Sequence, residues 1–416
     1  MIRFHSLLCA AAFIVGSAAA EGNWPDYRGP SEDGHTAAGT KLATEWSEEK
    51  NIAWKTEIKG KAWSSPVIWG DQIWLTNANV EGTRLSVVCI DKNTGKKIHD
   101  KMVRRVPGPQ YCHPFNSYGS PSAVLEEGRA YVTFGAPWTG AIDMETGEVI
   151  WERIDFTCNH FRGPGSSPLV HGDLLYLNYD GSDFQYIVAM NKHTGETVWK
   201  KDRSVDFKDL DENTGGPKMD GDWRKAYSTP RIWEVEGKAQ LISLGSMALY
   251  SYDPKTGDEL WRTEFQPNHS GALRPVFADG KIIMPTGSGG EVLQILSSGE
   301  TGWRFKRVNP RRSSPVLIDG LLYMVDDGGV AACLDAKSGE EIWTDRIGGN
   351  FSASLIHADG KIYCFDEEGK CTIIEAGREF KVLSVNELDE GCMGSPAVSG
   401  NALIVRTRTH LYRIEE

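Results

Sequence analysis

The chain has 416 residues, with 57 acidic against 45 basic side chains and a formal net charge of −12. That balance argues against a nucleic-acid partner, because phosphate binding is led by lysine and arginine. Beyond the first twenty residues no apolar run approaches the length of a membrane span.

Residues 1–20 read as a secretory signal, with Arg3 at its basic start, Leu7 to Val15 as the apolar stretch and Ala18-Ala19-Ala20 as the cleavage site. A periplasmic or secreted protein is therefore expected. Cys9 follows Leu8, where a lipoprotein signal wants a small residue, so no lipid anchor is expected. Residues 21–44 form an N-terminal extension that opens on Asn23-Trp24-Pro25-Asp26-Tyr27-Arg28-Gly29-Pro30. Residues 45–416 are expected to form one repeat domain.

Two short motifs recur through that domain. A Ser-Pro step appears at Ser64-Ser65-Pro66, Ser120-Pro121, Ser166-Ser167-Pro168, Ser228-Thr229-Pro230, Ser313-Ser314-Pro315 and Ser395-Pro396, with degenerate copies at Arg274-Pro275 and Ser352-Ala353-Ser354. The spacing is that of a β-propeller blade. Between these copies a DxxTGxxxW pattern leads from Asp143 to Trp151, from Asn191 to Trp199, from Asp253 to Trp261 and from Asp335 to Trp343. Its Thr-Gly or Ser-Gly step is hairpin chemistry, since glycine accepts the positive φ such turns need. Each repeat reads as four strands, the Ser-Pro step opening the innermost and the Trp lying on the outermost. A further Trp copy, Trp54, precedes the first Ser-Pro step, and too few strands follow the last. The reading is an all-β, eight-bladed β-propeller of four-stranded antiparallel blades, closed by an N-terminal strand, 51–58, in the last blade.

The repeated turn and outer-strand Trp resemble the PQQ-like (quinoprotein) repeat, and eight copies are similar to the propeller of BamB-type periplasmic proteins. This resemblance covers about residues 45–416 and implies a fold rather than an activity, because the family mixes dehydrogenases with non-catalytic scaffolds. It implies PQQ with calcium as a cofactor that some members use. The adjacent Cys-Cys pair and the CxxCH haem motif associated with such enzymes are missing here.

Of the eight cysteines, Cys89 and Cys333 occupy positions held by alanine in other repeats and read as small packing residues. Cys364 and Cys371 flank a tight turn, where an exported protein could join them as a cross-strand disulfide. Cys112, Cys158 and Cys392 each lie in a loop before a Ser-Pro step.

Loops that enter the innermost strands converge at one end of a propeller channel. Here they carry Trp63, His113, His160, Arg162, Trp223, Arg224, His269, Arg274 and Arg311. Basic groups concentrated in an acidic protein attract an anion, and aromatic neighbours suit a sugar or planar ring. These nine are the expected ligand-binding residues, the alternative being that they plug the channel. Arg274 stands where other repeats have Ser or Thr, which puts a guanidinium suited to a carboxylate or sulfate on the channel wall. A decayed repeat is the other reading. His113, His160 and His269 with the three loop cysteines show no close-spaced ligand pair, so no metal is expected and one Cys-Cys bridge is allowed. The acidic loop 200–225, with Asp209, Asp211, Asn213 and Asp220, follows a calcium-loop pattern only loosely, and a surface loop is expected.

The leading functional expectation is an exported, monomeric, non-catalytic binding or scaffold protein for a protein partner or an anionic ligand. The alternatives are a protein that binds or cleaves acidic polysaccharide, with His160 and Tyr118 as base and acid, and a PQQ-dependent alcohol dehydrogenase.

Overall fold

The computed structural model describes residues 22–265 and 267–416, so the expected signal segment lies outside the described residues. Eight four-stranded antiparallel sheets follow one another around an axis. In chain order the blades are 67–105, 124–153, 169–202, 231–264, 276–305, 316–346, 356–387 and 397–414. The last contributes only three strands of its own, and Ile52–Glu57 supplies the fourth by pairing antiparallel with His410–Ile414.

Every blade starts with a strand of three to five residues at the axis, such as Val67–Trp69 and Val316–Ile318. The Ser-Pro chemistry explains how these crowded strands are joined. The backbone N–H of Ser65 donates to Ser122 Oγ, Ser122 to Ser167, Ser167 to Thr229 Oγ1, Arg274 to Ser314, Ser314 to Ser354, Ser354 to Ser395, and Ser395 back to Ser65, at 2.8–3.0 Å. In seven of the eight blades one hydroxyl thus satisfies a backbone donor of a neighbour, which buried N–H groups require. In the second blade the ring hydroxyl is Ser122, not the Ser120 of the Ser-Pro step. Ser120 bonds instead to Asn116 Oδ1 and lies outside the ring. Arg274 interrupts the ring, because it has no hydroxyl for the preceding blade.

A second joint lies at the rim. Gly195, at φ +76°, faces the ring of Trp151 so closely that a Cβ would come within 2.5 Å of it, and Trp151 Nε1 donates to Lys192 O in the same turn. Gly257 stands likewise against Trp199, and Gly339 against Trp303. The turn glycine is needed twice, for its positive φ and for the aromatic ring of the preceding blade. Between these two joints the blades bury apolar residues against each other, Cys89 and Cys333 among them.

The cross-strand disulfide is not formed: Cys364 and Cys371 are both free thiols. The register pairs Phe365 with Cys371 and Cys364 with Thr372. Adjacent strand residues point to opposite faces, so Cys371 packs with Phe365 in one inter-blade core and Cys364 in another. Cys112, Cys158 and Cys392 are free as well.

The extension threads across the ring rather than lying beside it. Trp24 exchanges backbone hydrogen bonds with Ile68 of the first blade, and Pro25 O accepts from Leu125 of the second. Arg28 is buried and donates to Leu355 O, Asp33 O and Pro315 O. His35 bonds Leu317 O, and Gly34 O accepts from His357 N–H. These partners sit on inner strands from opposite sides of the ring, so the segment must cross the axis and closes the channel from beneath.

Candidate functional site

The loops that enter the inner strands enclose a cavity of about 690 Å³ at the other end of the channel. Its base is the hydroxyl ring, represented by Ser65, Ser122, Ser167, Thr229, Ser354 and Ser395, with Tyr27 of the extension also lining it. Its walls carry Trp63, His113, Phe115 and Asn116 from the first two loops, then Arg162, Asp222 and Lys225, then His269, Arg311, Arg312 and Asp327.

Five of the nine expected residues meet here: Trp63, His113, Arg162, His269 and Arg311. Trp63 Nε1 donates to Phe115 O, which fixes the indole at the mouth, and Arg312 lies 4.6 Å from the centre of the Phe115 ring. Arg311 is half-exposed and gives only its backbone N–H and Nε to Asp327. Arg162 is also half-exposed, 3.6 Å from Asp222. His269 shares a 2.8 Å hydrogen bond through Nδ1 with Ser270 Oγ. Burial, with Lys225 and Arg162 nearby, lowers its pKa to about 4, so it is neutral near pH 7.

The other four lie elsewhere. Arg274 is buried, and its two terminal nitrogens grip the two Asp26 oxygens at 2.6 and 2.9 Å. The expected free guanidinium on the channel wall is therefore already matched to a carboxylate of this chain. His160 is buried behind the wall, where Nε2 accepts the Ala136 N–H at 3.0 Å and Nδ1 lies 3.7 Å from Cys158 Sγ. Tyr118 donates to Gln110 O. With both ring nitrogens of His160 and the Tyr118 hydroxyl engaged outside the cavity, the base and acid roles expected for them have no access to a ligand there. Arg224 is held bidentate by Asp209, and Trp223, partly exposed, does not reach the cavity. Within the acidic loop Asp211 caps the turn at Asn213 and Thr214, which is a loop-building role.

Lys225 and Tyr27 are cavity residues that the repeat pattern does not reveal. Lys225 touches Asp222 and is lowered to about 7, first by burial and then by Arg162. It follows Trp223 and Arg224 directly, so the right loop was legible and the right residue was not. The Tyr27 hydroxyl is shielded from solvent and lies against the Thr229 hydroxyl. Burial raises its pKa against the pull of Arg274, whose guanidinium lies 4.8 Å from the ring centre, so the phenol stays protonated. The backbone is strained beside two wall residues, with φ +62° at Phe161 and +59° at Ser270. Non-glycine residues held there cluster at functional sites.

Overlapping stretches from residue 84 to residue 379, more than half of the chain, match the family described as outer membrane protein assembly factor BamB. The chain is 28% identical over 179 residues to a quinoprotein ethanol dehydrogenase of Pseudomonas putida, a stretch covering 40% of this chain and 25% of that protein. It thus spans about a quarter of that relative's length, and a quinoprotein alcohol dehydrogenase, PedH, of Pseudomonas putida matches in the same way over 170 residues. Among solved structures, a europium-containing methanol dehydrogenase superposes with a TM-score of 0.67 at 14% identity, covering 92% of this chain and 89% of that one. BamB from Moraxella catarrhalis gives 0.59 at 12% identity, covering 87% and 99%. At such identities the likeness is one of fold, and with the repeats, the eight blades and the family match it leads to one conclusion. The chain belongs to the PQQ-like β-propeller family of BamB type.

Proposed function

We propose that this protein is an exported binding protein that takes an anionic, oxygen-rich ligand into the channel cup. The carrying observation is an excess of donors. Arg311 faces the cavity with terminal guanidinium nitrogens that make no hydrogen bond among the described residues, and Arg162 meets Asp222 only as an ion pair at 3.6 Å, whereas the carboxylates of Asp222 and Asp327 are held by Lys225, Arg311 and Arg312. A ligand that fits must supply acceptors, and carboxylate or sulfate matches a guanidinium best. A likeness to BamB supports a scaffold role, and the relatives and expected signal support an exported setting.

A quinone with calcium fits poorly. PQQ is anionic and would suit the arginines, but calcium wants several carboxylate or carbonyl oxygens. Asp222 and Asp327 already carry Lys225, Arg162, Arg311 and Arg312, and no cluster of three metal-ligating side chains exists among the described residues.

The test is calorimetric titration with a panel at two salt concentrations: acidic and sulfated oligosaccharides, their neutral counterparts, and PQQ with and without calcium. Anionic members should bind, weaken with salt, and lose affinity on Arg311→Ala. Equal binding of neutral and anionic members would remove the anion-site reading. One observation favours a second reading, cleavage of an acidic glycan: His269 is a neutral imidazole in the cavity wall. Release of unsaturated products that disappears in His269→Gln would establish it.

A further inference from the structure

We propose that Phe115 is a specificity-determining residue: it bridges the mouth of the cup to Arg312, divides the mouth into a basic and an uncharged half, and favours an unbranched acidic oligosaccharide. This rests on the anion-binding reading above and extends it to the route and girth of the ligand.

The bridge follows from the topology. Phe115 belongs to the loop 106–123 that leads into the second blade, and Arg312 to the loop 306–315 that leads into the sixth. In a ring of eight blades these positions are opposite one another. The Phe115 ring centre nevertheless lies 4.6 Å from the Arg312 guanidinium, so the two loops meet across the mouth. Each arm is braced. Lys61 Nζ donates to Pro114 O at 2.6 Å and Trp63 Nε1 to Phe115 O at 2.9 Å, and Asn116 Nδ2 donates to Arg162 O and Pro164 O. On the far side Arg312 holds Asp327 at 2.8 Å and Glu367 at 2.9 Å. The joint between the arms is a ring–guanidinium contact at an exposed phenylalanine, and such a contact shifts a population by about two- to fivefold. Firm arms with a weak joint make a bar that a bulky ligand must open and a slender one passes.

The two halves differ in charge. From the third blade to the sixth the cavity wall carries Arg162, Lys225, His269 and Arg311, with Asp222 among them. From the seventh blade round to the first it carries Ser352, Met393 and Trp63, and no charged side chain among the described residues. A wall of one sign draws the opposite sign, so the acidic groups of a ligand settle in the first half. Trp63 and Phe115 offer flat apolar faces to its sugar rings. A chain that lies from one half to the other passes beneath Phe115, and a branch on that chain collides with the bar.

The experiment titrates two acidic saccharides, trigalacturonate and xylotriose branched with a single methylglucuronate, into wild type, Phe115→Ala, Phe115→Tyr and Arg311→Ala, with a melting curve for each protein. Wild type should bind trigalacturonate more tightly than the branched saccharide. Phe115→Ala should leave trigalacturonate unchanged and tighten the branched saccharide by about two- to fivefold, because the joint no longer has to open. Phe115→Tyr, which keeps the ring, should match wild type. Hydrogen exchange without ligand should quicken within 106–123 in Phe115→Ala and not in Phe115→Tyr. An unchanged preference in Phe115→Ala, or equal gains for both saccharides, would overturn the selective role; with trigalacturonate binding still lost in Arg311→Ala, the anion site would stand. Unchanged exchange in Phe115→Ala would overturn the bridge. A lower melting temperature for Phe115→Ala would show the ring to be structural and overturn the bridge likewise. Failure of wild type to bind trigalacturonate would overturn this proposal, and the anion site would fall with it only if sulfated oligosaccharides and PQQ also fail to bind.

Discussion

Arg274 and Asp26 form a buried bidentate pair across 248 residues of chain, fastening the extension to the fifth blade. Breaking a buried pair by removing one partner leaves a charge uncompensated, at about 3 to 5 kcal/mol. Arg274→Ser, although it restores the residue of the other repeats, is expected to destabilise the protein by about that much in urea unfolding. Limited proteolysis should then cut within 22–44 first. A variant as stable as wild type would show that the pair does not hold the extension.

Trp199 and Gly257 make one rim joint between them, since a Cβ on Gly257 would lie 2.6 Å from the indole. Trp199→Ala should cost about 3 to 5 kcal/mol. Gly257→Ala forces a side chain into φ +71° as well as into the ring, and it should also destabilise. Because both variants damage the same contact, the double variant should lose clearly less than the sum. Additive losses in a denaturation cycle would count against the joint.

His160 gives the fold an acid sensitivity. Burial lowers its pKa to about 4 from an ordinary 6.5, so the unfolded chain takes up its proton at higher pH than the folded one. Stability is therefore complete above 6.5 and falls as the pH drops towards 4, by at most about 3 kcal/mol. In His160→Gln the part of the acid slope between these limits should flatten. An unchanged slope would assign the acid loss to other groups.

Lys225 should set the pH dependence of binding. Its ammonium titrates near 7 in the empty cup because burial and Arg162 disfavour the charge. An anion favours the charged form, so binding should take up a proton and weaken as the pH rises from 6.5 to 8.5. His269, neutral throughout that range, should not contribute. Titrations in buffers of different ionisation enthalpy would measure the uptake, and Lys225→Met should abolish it.

The repeat was legible because its chemistry is local: the Asp143 and Asp335 turns cap themselves through Thr146 and Ser338, and a self-capping turn needs no knowledge of the rest of the fold. The gathering of Trp63, His113, Arg162, His269 and Arg311 was legible for the same reason, since equal repeat positions share one end of the axis. What was hidden depends on a partner without a repeat. Nothing in Trp24 to Pro30 says that it docks across the channel, and so the partner of Arg274 and the position of Tyr27 could not be read. The oddity of Arg274 was itself the signal, since a guanidinium at a buried position needs a carboxylate. His160 misled because the chain turns sharply at Phe161, φ +62°, with Arg162 N–H bonded to His160 O, so the two side chains do not share the face that a spacing of two gives in a strand.

The pairing of Ile52–Glu57 with His410–Ile414 also orders the closure of the ring. A strand ahead of the first blade waits for its neighbour until the eighth blade is present, although the intervening blades are formed from contacts close in sequence. Domains tend to fold from the N-terminus as they emerge, and a contact spanning nearly the whole chain is slow to find. The forming ring therefore carries an unpaired edge until its eighth blade is present. Pairing of Ile52–Glu57 with the eighth blade closes that edge, so the ligand cup forms only once all eight blades are in place.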